Sequence, residues 1–220
     1  DDVPDPSVAR GRRLLVVDKP ERTQTQIVIG AMGTSAHDED HVPLIVANAI
    51  FGGTFTSRLM KEIRSKRGWS YGTSARAGVD RRRHSWIMAS FPAEKDSAPC
   101  LKLSLELLER WVGEGVTPRE VAFIQRYLVR SHAFEVDTAA KRLHQALDVE
   151  LLGLPADYFT GWIERVRAVT PETASAAVKH RIDPESLLAV VVATAPRVKD
   201  SLASAMARLA ETNVVAFDTP

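Results

Sequence analysis

Cysteine is almost absent from the 220-residue sequence, in which Cys100 stands alone. A single cysteine excludes an internal disulfide and any zinc site built on cysteine ligands. The sequence also lacks an excess of one charge, since its formal net charge is +1. This balance gives no electrostatic case for nucleic acid or an anionic membrane as a partner. No apolar run approaches the ~20 residues that a membrane-spanning helix needs.

The remaining composition is that of an ordinary globular protein, with 45% hydrophobic and 26% charged residues. The first six residues, Asp1 to Pro6, are acidic and rich in proline. Such a segment is typical of a linker or an exposed chain start and differs from a signal peptide. We therefore expect residues 1–12 to be a linker and residues 13–220 to form a single domain, the second half of a longer subunit. The sequence marks no compartment.

The most distinctive stretch of the chain runs from Gly52 to Gly72. Its first two residues, Gly52 and Gly53, close one helical pattern, and Thr54 or Thr56 can cap the next helix. Apolar residues then recur at helical spacing and predict one buried helix face, which consists of Phe55, Leu59, Met60 and Ile63.

The second half of this stretch predicts a helix end followed by a strand. Gly68 ends the helix, and Trp69, Tyr71 and Thr73 then alternate as strand residues do. Arg64 therefore falls in the last turn of the helix, and Tyr71 falls on the strand that follows it. A short turn between the two elements would bring these two polar side chains into one site.

Several fixed spacings in this stretch resemble one protein family. Its order of Gly-Gly, Ser-Arg-Leu, a basic helix end and Gly-aromatic-x-Tyr is similar to the carboxy-terminal half of the pitrilysin/insulinase zinc metallopeptidases, including their mitochondrial processing relatives. The matching residues are Gly52-Gly53, Ser57-Arg58-Leu59, Ile63-Arg64 and Gly68-Trp69-Ser70-Tyr71. Outside this stretch the chain agrees with the family in length and element order and adds no sharp motif.

The resemblance implies a division of labour between two halves. In whole enzymes of this family the zinc motif H-x-x-E-H lies in the amino-terminal half, whereas the carboxy-terminal half binds no metal. The resemblance therefore implies no cofactor in this chain, zinc in a partner catalytic half, an extended peptide as substrate and a dimer in the full protein. It also implies that Arg64 and Tyr71 point at the bound peptide.

The chemistry of Arg64 and Tyr71 suits that role. A guanidinium and a phenol are hydrogen-bond donors that can hold a substrate carbonyl or stabilise an oxyanion. The alternatives are a helix-end arginine that binds carbonyl groups and an ordinary strand tyrosine. Trp69 is a possible cleft-lining residue, with packing as its alternative. We expect structural roles for five further motif residues: Gly52, Gly53, Ser57, Arg58 and Gly68.

Two histidines, His37 and His41, could be mistaken for a zinc motif. They are separated by Asp38, Glu39 and Asp40, so an aspartate stands where the inverted zinc motif has glutamate. On one helix face the pair could bind a metal. However, a polar segment of this kind is also typical of a helix start, where acids interact favourably with the helix dipole. We expect helix capping and no metal at this site.

The order of predicted elements favours an α+β fold. Strands are expected in the first half, around 14–17, 23–33, 69–79 and 84–91, and helices dominate the second half up to a strand at 187–192 and a returning strand at 214–217. This order predicts a two-layer sandwich in which an antiparallel sheet carries helices on one face. The predicted function is that of a non-catalytic peptidase domain that closes a substrate chamber, and the alternative is a structural or assembly subunit of the same fold.

Overall fold

The computed structural model describes residues 9–218. Residues 1–8 of the expected linker therefore lie outside the described part of the chain. Arg12, also assigned to that linker, belongs to the first strand, and its side chain is fully buried. The ordered fold thus begins at least one residue earlier than the predicted boundary at 13.

Within the described residues, six strands form one sheet in the order β3-β4-β2-β5-β1-β6. Their bounds are β1 Arg12–Asp18, β2 Gln26–Met32, β3 Thr73–Ala77, β4 Ser85–Ser90, β5 Leu188–Ala193 and β6 Leu209–Ala216. The strands β2, β3 and β4 pair antiparallel with their neighbours, whereas β1 runs parallel to both β5 and β6. The α+β class is confirmed, and the sheet is mixed rather than wholly antiparallel.

Seven α-helices lie within the described residues. Their bounds are α1 His41–Asn48, α2 Ser97–Glu114, α3 Pro118–Glu135, α4 Ala139–Leu152, α5 Trp162–Ala168, α6 Pro171–Arg181 and α7 Ala195–Ala205. Two π-helical segments, Ala49–Gly53 and Met60–Ser65, and a short 3-10 helix, Glu94–Asp96, complete the helical layer. No helix within residues 9–218 is long and apolar enough to cross a membrane.

One face of the sheet carries the hydrophobic core. Strand residues alternate between buried and half-buried positions, as the two-residue period of a strand requires. The buried set packs beneath the helices and includes Leu14, Val16, Ile27, Ile29, Met88 and Val191. The opposite face is apolar but only half-buried, and it presents Leu15, Val17, Val28, Ile87, Val190 and Val192. The sheet therefore has one covered face and one open apolar face.

Three aromatic rings hold the distinctive stretch to this core. Phe51, in the first π-helical segment, stacks on Trp111 of α2 with ring centroids 4.4 Å apart. Trp86 of β4 lies 5.8 Å from Trp111 and 6.0 Å from Phe51. All three side chains are fully buried. Burial of each large aromatic side chain contributes roughly 1.5–3 kcal/mol, so this cluster is a rigid base for the residues that follow.

Candidate functional site

The glycine pair lies where the chain leaves α1. The helix continues into the π-helical segment Ala49–Gly53, which passes directly over strand β3. A Cβ atom on Gly52 would lie 2.5 Å from the Ala75 nitrogen and 2.7 Å from Leu59 Cδ1, so no larger residue fits there without movement. Gly52 therefore lets the backbone of the π-helical segment lie close to the backbone of β3, which is a structural role.

Asn48 ties this turn to two strands. Its amide donates a hydrogen bond to the Ala75 carbonyl at 3.0 Å, and its side-chain oxygen accepts one from Trp86 Nε1 at 2.8 Å. Both bonds are buried and are therefore worth more than exposed ones. The sequence did not predict this role of Asn48, because the residues around it do not show which strands its side chain will contact.

The next helical turn starts differently from the prediction. The backbone N–H of Met60, the first residue of the second π-helical segment, donates to Ser57 Oγ at 3.4 Å, so Ser57 is the hydroxyl residue that contacts this helix start. Thr54 instead donates to the Ala49 carbonyl at 3.2 Å and so closes the preceding segment. The prediction of Thr54 or Thr56 as the cap was wrong, because the turn after the glycine pair extends through residue 56.

Arg64 occupies the centre of an exposed aromatic cluster. Its guanidinium carbon lies 4.6 Å from the centroid of the Phe55 ring and 4.8 Å from that of the Tyr71 ring. These distances are within the range of cation–π contacts. The structure thus brings Arg64 and Tyr71 together, as the spacing predicted, and adds Phe55 as a second ring. We call Phe55, Arg64 and Tyr71 the arginine–aromatic cluster.

Phe55 corrects the predicted helix face. Leu59, Met60 and Ile63 are buried as expected, but Phe55 is 72% exposed. It lies in the turn before the helix, so helical spacing does not carry it to the buried side. Its ring covers Arg64 instead of the core.

Tyr71 is presented by a short loop, residues 69–72, that precedes β3. Its side chain is 85% exposed. The neighbouring Ser70 is buried: its hydroxyl donates to the Gly72 carbonyl and accepts a hydrogen bond from the Phe91 backbone N–H at 2.8 Å. The strand expected from residue 69 therefore starts at Thr73, because residues 69–72 form a loop that these hydrogen bonds of Ser70 hold in place. Fixing Ser70 inward leaves Tyr71 facing solvent.

Trp69 packs differently from its neighbours in the motif. It is half-buried against the hydrophobic core, and Arg67 lies over its ring at 5.4 Å. Arg67 is itself held by Glu62 through an ion pair of 2.9 Å. Gly68 has a φ of +64°, the left-handed conformation that ends a helix and favours glycine. Cleft lining by Trp69 stays a prediction.

Arg58 anchors this region to α3. Its guanidinium donates to both carboxylate oxygens of Glu120, at 2.8 and 2.7 Å, and to the Gly115 carbonyl at 2.9 Å. Burial of the carboxyl acts to raise its pKa, but hydrogen bonds from Arg58 and Thr117 outweigh burial and lower the pKa of Glu120 to about 2. Arg58 is thus committed to a bidentate contact between two elements.

The two histidines lie in different environments. His37 is exposed in the turn before α1, whereas His41 is the buried first residue of that helix. The ring of His41 lies 2.8 Å from Thr34 Oγ1 through Nδ1 and 2.8 Å from the Tyr158 hydroxyl through Nε2. Both of its ring nitrogens are occupied, so His37 and His41 do not fit a zinc ion. Within residues 9–218 no group of three or more His, Cys, Asp or Glu residues could hold a metal.

The expected side-chain cap at this helix start does not form. Asp40 is the capping residue by position, but its carboxylate accepts hydrogen bonds from Arg181 at 2.7 Å and His180 at 2.8 Å. Burial of the Asp40 carboxyl opposes these bonds, which nonetheless lower its pKa. The acids of this segment therefore connect α1 to the end of α6, a long-range contact that sequence spacing does not reveal.

Comparison with known proteins gives the family. A sequence model described as the peptidase M16 inactive domain matches residues 2–128, more than half of the chain. The chain belongs to this family, which confirms the resemblance to pitrilysin/insulinase peptidases, and it is a non-catalytic domain of the M16 type. The matched range contains the whole arginine–aromatic cluster.

Individual relatives agree with this assignment. The chain is 20% identical to the non-peptidase homolog YmxG of Helicobacter pylori over 153 residues, which is 68% of this chain and 35% of YmxG. The peptidase M16 inactive domain from Pseudomonas fluorescens superposes with a TM-score of 0.80 at 22% identity, over 87% of this chain and 45% of that one. The inactive domain of a candidate zinc protease from Bordetella parapertussis gives 0.65 at 12% identity, over 76% and 91%. The chain spans less than half the length of the first two.

Proposed function

We propose that this domain closes the substrate chamber of a two-part M16 peptidase and supplies Arg64 and Tyr71 to the bound peptide. One observation carries the proposal: the guanidinium carbon of Arg64 lies 4.6 and 4.8 Å from the centroids of two exposed rings, and its N–H groups form no hydrogen bond with any described residue. A purely structural helix-end arginine would bind nearby carbonyl groups instead.

The geometry suits recognition of carbonyl oxygens. Because the N–H donors of Arg64 form no hydrogen bond with any described residue, a peptide carbonyl that reaches the guanidinium can accept hydrogen bonds from them. The Tyr71 hydroxyl adds a further donor at the exposed edge of the same cluster. Such donors act best on the oxyanion that develops on the scissile carbonyl, because that charge exists only as the reaction proceeds.

One face of the sheet supports the part of the proposal in which the domain closes a chamber. The face opposite the helices is apolar and only half-buried, and it presents residues such as Leu15, Val28 and Val190. An apolar face of this kind is typical of a surface that meets another domain. The related chains from Pseudomonas and Helicobacter are more than twice as long as the part that this chain covers.

Zinc belongs to the partner in this proposal. The described residues do not fit a metal ion, and no step of the reaction is assigned to a metal in this chain. The partner would be a zinc-bearing catalytic half, either upstream in the same subunit or on another subunit. A dimer of the full protein is part of the same proposal.

Reconstitution tests the proposal. The domain is mixed with a zinc-bearing M16 half, and hydrolysis of an extended peptide is followed for the native domain, Arg64→Ala and Tyr71→Phe. Loss of a single oxyanion donor lowers kcat by about 10²–10³. We expect a reduction of that order for Arg64→Ala and a smaller one for Tyr71→Phe, with no hydrolysis by the domain alone.

Arg67→Ala is the matched control, since Arg67 also stacks on an aromatic ring but is paired with Glu62. It should keep nearly full activity. The proposal is wrong if hydrolysis needs the domain yet ignores both Arg64→Ala and Tyr71→Phe while all variants remain folded by circular dichroism.

A structural or assembly subunit is the second candidate function. It is favoured by one comparison, because YmxG is named a non-peptidase homolog. In that case the domain would still bind its partner half, but no peptide would be hydrolysed by the pair. Partner binding without turnover, measured on the same reconstituted mixture, separates this function from the first.

A further inference from the structure

A cleft of about 710 Å³ lies beside the arginine–aromatic cluster. Its walls come from the turn after the glycine pair, from the helix that carries Arg64 and from the start of α3. Eleven residues line it: Ile50, Thr54, Thr56, Arg58, Lys61, Thr117, Arg119, Glu120, Phe123, Ile124 and Arg126. We call this space the basic cleft.

The charges of the basic cleft do not balance. Arg58 and Glu120 neutralise each other through their bidentate contact. The side chains of Lys61, Arg119 and Arg126 are exposed, and within residues 9–218 none of them has an acidic partner. Three unpaired cations around one concave space concentrate positive potential there.

We infer that the basic cleft binds acidic side chains of a peptide, and so gives the domain a preference for substrates with Asp or Glu. Carboxylates complement the three unpaired cations in charge and can accept a hydrogen bond from the Thr56 hydroxyl. This inference rests on the proposed function, because it names the class of peptide that the same site receives.

The basic cleft lies next to the proposed peptide site. Thr54 and Thr56 line the cleft, and Phe55 between them covers the guanidinium of Arg64 at 4.6 Å. A peptide whose backbone lies over Arg64 therefore reaches the cleft within the length of a few residues, since an extended chain spans roughly 3.3 Å per residue. Acidic side chains near the contacted carbonyl would fall beside the three cations.

Direct binding tests the inference without any catalytic partner. A dye-labelled peptide that contains three glutamates is titrated with the 220-residue chain, and binding is followed by fluorescence anisotropy. The reference peptide has glutamines at the same places. We expect the glutamate peptide to bind at least about tenfold more tightly, as three ion pairs in a partly enclosed cleft would give.

Charge-neutral variants localise the binding. The triple variant Lys61→Gln, Arg119→Gln and Arg126→Gln should weaken binding of the glutamate peptide about tenfold. The control triple variant, Lys199→Gln, Arg110→Gln and Arg167→Gln, removes the same charge from exposed residues elsewhere and should change binding less than about twofold.

Two results would overturn the inference: equal binding of the glutamate and glutamine peptides, or an equal loss in the two triple variants, which would show a general charge effect. Binding to the domain requires no turnover. The outcome therefore stands apart from that of Arg64→Ala in the hydrolysis assay, and either claim can fail while the other holds.

Discussion

Arg64 shows how contact energies position a flexible side chain. An arginine side chain loses roughly 2 kcal/mol of rotamer entropy when it is fixed, and each exposed cation–π contact returns roughly 0.5–1 kcal/mol. The Phe55 and Tyr71 rings together therefore nearly offset the cost of holding the guanidinium in place. If Arg64 binds a peptide as proposed, little further binding energy would be lost to ordering its side chain.

The substitution Gly52→Ala, which adds one methyl group, should destabilise the protein. Gly52→Ala places a Cβ atom 2.5 Å from the Ala75 nitrogen, so strand β3 or the π-helical segment must shift. Overpacking of this kind costs about 1–3 kcal/mol. We expect urea denaturation to show that loss in the free energy of unfolding.

Gly113→Ala is the control for this substitution. Gly113 lies in α2, and a Cβ atom there would meet nothing within 4 Å. Alanine in a helix is favoured over glycine by about 1 kcal/mol, so this variant should be as stable as the native chain or more so. A stable Gly52→Ala variant would show that the close approach at Gly52 is not required.

Local spacing predicted part of the candidate site. A short connection between the helix end and the following strand predicted that Arg64 and Tyr71 lie together. The structure places the guanidinium over the Tyr71 ring, although Tyr71 lies in the loop before β3 and not on the strand. Phe55, Ser70 and Asn48 were not assigned their roles. Their partners lie across turns or on other strands, and such contacts depend on the tertiary arrangement rather than on periodicity.

At the scale of elements, His41 joins the start of α1 to the segment before α5 through Tyr158. Burial lowers the pKa of His41 to about 4, against the opposing effect of Asp38 and Asp40. Burial likewise raises the pKa of the Tyr158 hydroxyl to about 12. The folded protein therefore holds a neutral imidazole and a neutral phenol at neutral pH.

Stability should fall as the pH drops from about 6.5 to about 4. In that window the unfolded chain binds a proton at His41 and the folded chain does not, so the free energy of unfolding decreases by up to about 1.4 kcal/mol per pH unit. Above 6.5 neither state binds this proton and the effect vanishes. Urea denaturation across this pH range measures it.

His41→Gln should flatten this pH dependence, although it also loses stability at neutral pH. His37→Gln, at an exposed position, should leave the slope unchanged. Carboxyl groups with lowered pKa values, such as Glu120, also reduce stability once the pH approaches 4.5, their ordinary pKa. The contribution of His41 is therefore read from the upper part of the window, above about pH 5.5, and from the difference in slope between the two variants. An unchanged slope in His41→Gln would refute the assignment of the pH effect to His41.

The elements themselves were largely predictable from the sequence. The order Thr117-Pro118-Arg119-Glu120 is typical of a helix start. A capping box forms there at the start of α3, with Thr117 and Glu120 bonding each other's backbone N–H groups. The parallel pairing of β1 with β5 was not predictable, because it joins strands that are more than 170 residues apart in sequence. Strand composition indicates that a strand forms, but not the direction of its neighbour.

At the scale of the whole molecule, the two faces of the sheet differ in how well they are covered. Helices cover one face of the sheet, while the other face leaves apolar side chains half-buried. Two relatives, the inactive domain chain from Pseudomonas fluorescens and YmxG of Helicobacter pylori, are more than twice as long as the part that this chain covers. This form agrees with the proposal that the domain completes a site jointly with a second half.

The central claim is that Arg64 and Tyr71 act on one bound peptide as a unit, and a double-mutant cycle tests it most directly. Hydrolysis by the reconstituted pair is measured for Arg64→Ala, Tyr71→Phe and the double variant. If the two donors act on the same carbonyl, the double variant should lose little more activity than Arg64→Ala alone. Losses that multiply independently, or no loss in any variant, would contradict the account.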